Sequence, residues 1–168
     1  HKKGLGLVLI GSMIVYIVIK EFQKLWPYLS HFVSKAVYYL LNLIGTANLS
    51  FSGDLPILSF NGFIVKIAQT CSGIDSIFIF TALYLGILAW DWKILNKKKA
   101  FWLFFIGIAG AFLMNIIRIS ILILIGAYIS KSFALNVFHT NASAILFLIY
   151  FAIFWKLSYN WMKKRSQS

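Results

Sequence analysis

The chain has a single cysteine, Cys71, set in Gln69-Thr70-Cys71-Ser72-Gly73-Ile74-Asp75. Ser72 and Asp75 have the spacing of a capping box, so this run predicts the start of a helix with the thiol beside its N-terminus. The partial positive charge there favours a thiolate nucleophile. A lone cysteine also serves as a small buried hydrophobe, and the motif alone does not separate the two. Asp75 fits capping better than catalysis. The second reactive group is Arg118, in Met114-Asn115-Ile116-Ile117-Arg118-Ile119, with no carboxylate near it in sequence. A guanidinium in so apolar a run is costly unless paired or hydrated, so it is expected to face a polar cavity. Asn115, three residues earlier on the same helical face, could orient it. The alternative is an arginine that snorkels to the membrane surface. The third group is His139, in Val137-Phe138-His139-Thr140-Asn141. Thr140 or Asn141 would cap the next helix, whose N-terminus disfavours an imidazolium and leaves the ring able to accept a proton. A thiol, a base and a hydrogen-bond donor for a developing oxyanion are the parts that acyl transfer needs.

These groups must be positioned by membrane-spanning elements. The 168 residues are 61% hydrophobic and 12% charged, too little polar surface for a water-soluble globule. Apolar runs cover residues 4–19, 74–90, 100–117 and 142–159, each near the length that crosses a ~30 Å hydrocarbon core. The first reads as a signal anchor, since it lacks a small-residue cleavage site. The net charge of +12 comes largely from lysines and arginines that flank these runs. Lys2 and Lys3, Lys93 and Lys97 to Lys99, and Lys163 to Arg165 all belong on the cytoplasmic side by the positive-inside rule, with tryptophans beside them as an interfacial belt. The charge therefore reads as topology, and no nucleic-acid partner is expected. His1, His31 and His139 have no metal-ligand spacing, and one cysteine excludes an internal disulfide, so no metal or cofactor is expected.

Between the first two spans, residues 27–45 place Leu29, Phe32, Val33, Ala36, Val37, Leu40 and Ile44 on one helical face, which predicts an amphipathic helix on the outer surface. Residues 45–72 carry Ser, Gly, Asn and Pro punctuation and predict a small extracytoplasmic β-hairpin with strands near 48–51 and 63–68. An unbroken helix over residues 100–130 would exceed the hydrocarbon thickness, so a break at 115–118 is expected, leaving 119–130 as a re-entrant or outer segment. The fold class is thus an all-α polytopic membrane protein of about four spans forming one membrane-embedded domain over residues 1–168, with its C-terminus cytoplasmic. Cys71, Arg118 and His139 then share the outer end of the bundle.

Cys71-Ser72-Gly73-Ile74, Asn115-x-x-Arg118 and Phe138-His139, taken in that order, resemble the exosortase and archaeosortase family of membrane-embedded cysteine transpeptidases. The likeness covers about residues 53–159, and the histidine in third place resembles the exosortase branch, although this chain has fewer spans than typical exosortases. The resemblance implies Cys71 as nucleophile, His139 as general base and then acid, and Arg118 as stabiliser of substrate or oxyanion. It implies a substrate with a C-terminal sorting signal, cleaved outside the inner or plasma membrane, with the acyl group passed to an acceptor. Asn115, Ser72 and Asp75 would support. The competing reading is a non-enzymatic membrane module that binds lipid head groups or assembles a complex.

Overall fold

The computed structural model describes residues 13, 16–17, 20–22, 24–68 and 71–163, and for residues 137 and 139–143 the backbone only. The first expected span, residues 4–19, therefore lies almost wholly outside the described residues. The described elements are α1 (Trp26–Asn42), β1 (Ala47–Ser52), β2 (Leu55–Phe60), β3 (Phe63–Lys66), α2 (Ile74–Trp90), α3 (Lys97–Tyr128), a π-helical stretch (Phe133–Ala142) and α4 (Ser143–Met162).

Among the described residues two helices are long and apolar enough to cross a membrane, α3 and α4. The apolar α2 is shorter, at 17 residues. Around the lower part of this bundle, Phe80, Tyr84, Leu103, Ala111, Phe147 and Phe151 form a buried core. Glycines let the helices approach: the Tyr150 hydroxyl donates to the Gly107 carbonyl at 2.7 Å, and the Phe80 ring points end-on at Gly107. The buried Tyr84 hydroxyl donates to the Ala100 carbonyl at 2.8 Å, which satisfies its polar end inside an apolar setting. At the lysine-rich end, Asn96 caps α3 by accepting from the N–H groups of Lys98 and Lys99. Lys97 lies over Trp92 and Lys99 over Trp161, with Nζ 4.6 and 4.7 Å from the ring centroids. Trp90, Trp92, Trp102 and Trp161 are exposed here, as an interfacial belt requires.

The expected break at residues 115–118 is absent. Helix α3 runs unbroken through 32 residues, about 48 Å. The length argument assumed that only lipid could cover the helix. Its upper turns are instead covered by protein, since Ile116, Ile119, Leu122 and Ile123 are buried against Val33, Val37 and Leu41 of α1 and Leu58, Phe60 and Phe63 of the sheet.

That sheet has three antiparallel strands in the order β1-β2-β3, so the two expected strands are the outer ones and the central strand was missed. Pro56 in β2 reads as a strand breaker, yet it sits where it does no harm. Its carbonyl accepts from Ile67 N–H on the β3 side, just past the last β3 residue, so the missing proline N–H falls where the ladder has ended. The β2–β3 turn is Asn61-Gly62, both with positive φ (45° and 77°), the backbone that a two-residue hairpin prefers.

Helix α1 forms as expected, but its buried stripe is rotated. Ser30, Val33, Ser34, Val37 and Leu41 are buried, while Phe32, Leu40 and Ile44 are exposed. The serines can be buried because each hydroxyl donates to a carbonyl of its own helix, Ser30 to Pro27 and Ser34 to His31, leaving a small side chain for close packing.

Candidate active site

Cys71 lies on a tight turn, with its N–H donating to the Ala68 carbonyl at 2.9 Å, and its side chain is half-buried against the core between α1, the sheet and α3. The capping box does not form. The N-cap of α2 is Gly73, with φ of 87° and no side-chain capping bond, and helix begins at Ile74. That left-handed entry favours glycine, and Ser72 beside it is fully buried. Asp75 remains in the first turn of α2, where its charge complements the helix dipole.

Arg118 is brought to this turn from α3, where it is partly buried. Its Nη2 donates to Asn115 Oδ1 at 3.0 Å, and Asn115 Nδ2 donates to the Cys71 carbonyl at 3.0 Å. The guanidinium stands within electrostatic reach of both Cys71 and Asp75. Arg118 therefore does not simply snorkel away from the bundle. Beneath it, Ser76, Ala111, Met114, Asn115, Arg118, Leu146 and Phe147 line a cavity of about 20 Å³. That is room for one water, with Ser76, Asn115 and Arg118 as polar neighbours. Sequence reasoning passed over Ser76, whose signal was its place one helical turn after Ser72 inside an otherwise apolar run.

The expected N-cap before the last span does not occur. Residues 133–142 form a continuous π-helical stretch that runs into α4 at Ser143, so His139 lies within helical backbone and not ahead of a helix N-terminus. The dipole argument for a neutral imidazole loses its basis. The side chains of His139, Thr140 and Asn141 lie outside the described residues. The stretch packs against α3, and Phe138, next to His139, packs on the same core cluster as Cys71. π-helical turns are frequent at functional sites. Among the described residues no group of three or more His, Cys, Asp or Glu could hold a metal ion.

A helical bundle with an apolar exterior, a sheet seated on one end, and a guanidinium tied through one amide to the main chain of the cysteine at that end fits a membrane protein. The family model of the transmembrane exosortases (Exosortase_EpsH) matches residues 4–156, and the chain belongs to that family. It is a family of cysteine transpeptidases, which makes this chain a membrane protein of sorting-signal processing. No curated protein and no solved structure matches the chain.

Proposed function

We propose that this chain cleaves a C-terminal sorting signal by acyl transfer at the sheet end of the bundle, which faces the extracytoplasmic side, with Cys71 as nucleophile. His139 takes the proton of the Cys71 thiol, the thiolate attacks the scissile carbonyl, and the tetrahedral oxyanion is met by Arg118. Collapse forms a thioester and expels the amine of the downstream segment, which takes its proton from His139. His139 then deprotonates the acceptor nucleophile, whose attack on the thioester releases the thiolate. Asn115 holds Arg118, Ser72 packs the turn, and Asp75 completes the charge balance around the guanidinium. The observation that carries this reading is the hydrogen-bonded path from Arg118 through Asn115 to the Cys71 main chain, which sets a delocalised cation beside the thiol in a chain with only four acidic residues.

The test is maturation of a co-expressed substrate. Cys71→Ala is expected to abolish cleavage, and His139→Ala to stop or greatly slow it. Arg118→Lys is expected to lose on the order of 10²- to 10³-fold, the usual loss for one oxyanion donor, because a point-charge ammonium cannot reproduce a planar five-donor fork. All three variants must insert and accumulate as wild type does. Wild-type maturation by Cys71→Ala would discard the nucleophile assignment and leave a lipid-binding or complex-assembling membrane module in its place.

A further inference from the structure

We infer that Asn115 is the positioning residue of this site: its amide latches the Arg118 guanidinium to the main-chain carbonyl of Cys71 and so fixes the offset between the cation and the thiol. Its catalytic consequence rests on the transpeptidase reading above, but the latch itself is a statement about charge and geometry.

Asn115 is buried, at 3% exposure, in a membrane-spanning helix, where an amide is costly unless both ends are satisfied. Both are. A guanidinium can only donate and a carbonyl can only accept, so the amide has one workable orientation, with Oδ1 toward Arg118 and Nδ2 toward Cys71. The opposite orientation would set donor against donor and acceptor against acceptor. Asn115 is therefore keyed to these two neighbours together, and neither alone explains an amide there.

Gly73 is the other half of the device. A Cβ on Gly73 would stand 3.0 Å from Asn115 Nδ2 and 3.1 Å from the Phe112 ring. The bare glycine, with a positive φ of 87°, leaves the lane through which the amide reaches the Cys71 carbonyl. Neutrality matters as well as reach. An aspartate of the same shape would accept from Arg118 but cancel its charge and repel the Cys71 carbonyl. Among the described residues, Arg118 of α3 stands within electrostatic reach of both Cys71 and Asp75 of α2. An amide bridge leaves that balance unchanged.

The sole cysteine makes a direct test possible in the purified full chain in detergent or nanodiscs. Alkylation rates of Cys71 are measured with neutral iodoacetamide and with anionic iodoacetate, and their ratio reads the positive charge beside the thiol. Relative to wild type, Arg118→Gln should lower the iodoacetate-to-iodoacetamide ratio by about tenfold, as expected for one unit charge at short range behind a partly desolvating surface. Asn115→Asp should lower it about as far, and Asn115→Ala by severalfold. A loosened fold would instead raise both rates in step, and that outcome would overturn the proposal. So would a wild-type ratio in Asn115→Ala alongside a lowered ratio in Arg118→Gln, or an unchanged ratio in Arg118→Gln. Substrate maturation by Cys71→Ala would remove the transpeptidase reading without touching this ratio, so the two fail separately.

Discussion

Gly107 and Gly86 are both helical glycines, and the same substitution at each should have opposite effects. At Gly107 in α3, an added Cβ would overlap Phe80 Cζ outright and stand 2.8 Å from Cε1 and Cε2. Phe80 is fully buried and cannot retreat, because Tyr84, Phe151 and Phe154 hold their ring centroids 5.4–5.8 Å from its own. Overpacking of this kind costs about 1–3 kcal/mol, and a complete overlap belongs at the upper end. The better helix propensity of alanine returns about 1 kcal/mol. The net loss for Gly107→Ala is about 2 kcal/mol, or a Tm lower by about 4–8 °C in a chain of this size. Gly86 in α2 has nothing within 4 Å of its Cβ position, so Gly86→Ala keeps only the propensity gain, with Tm higher by about 2–4 °C. The assay is thermal unfolding in one detergent, followed by near-UV circular dichroism and by Cys71 thiol exposure. Because α2 begins at the Cys71 turn and α3 carries Arg118, a shift of about 1 Å between them should also cut substrate maturation by about 10²-fold in Gly107→Ala. A Gly107→Ala protein as stable as Gly86→Ala would refute the packing argument.

Three further outcomes are expected. Gly73→Ala should lower maturation by about tenfold with a modest loss of stability, since a left-handed backbone costs an L-residue about 1–2 kcal/mol and its Cβ would press on Asn115; parallel maturation assays and melts check this. Tyr84→Phe should lower Tm by about 2–4 °C through loss of the Ala100 bond, worth about 1 kcal/mol, and leave maturation unchanged. In Cys71→Ala cells, a cysteine placed at Asn96 should resist a membrane-impermeant maleimide applied from outside, whereas external labelling would reverse the orientation drawn from the lysines.

The pairing of Asn115 with Arg118 was legible in the sequence because its signals are local. Asn115 and Arg118 share a face by their three-residue spacing, and a guanidinium among isoleucines asks for a partner wherever it sits. The membrane helices α3 and α4 followed from run length and flanking lysines. What escaped depends on tertiary cover. The continuity of α3 through Arg118 needs a sheet to shield Ile119 and Ile123, and that sheet was half hidden because Pro56 masks its central strand. Asn61-Gly62 was a local signal that could have found it. The rotated face of α1 had no local signal, since Ser30 and Ser34 resemble solvent-facing residues until their hydroxyls are seen to be satisfied within the helix. At Gly73 the capping rule applied to Ser72 lost to a backbone conformation open mainly to glycine.

The unbroken α3 also acts as a depth gauge. Arg118 lies 21 residues along the helix from Lys97, about 32 Å by the rise of an α-helix, close to the ~30 Å hydrocarbon thickness of a bilayer. Lys97 and Lys99, stacked on their tryptophans, pin the lower end to one interface, so the height of the guanidinium is set by a rigid rod and not by a loop. A membrane thicker by a few ångströms would draw Arg118 below the head groups, and a thinner one would lift the Cys71 turn into water. Lipid chain length should then shift the depth of Arg118 through the position of the hydrocarbon boundary.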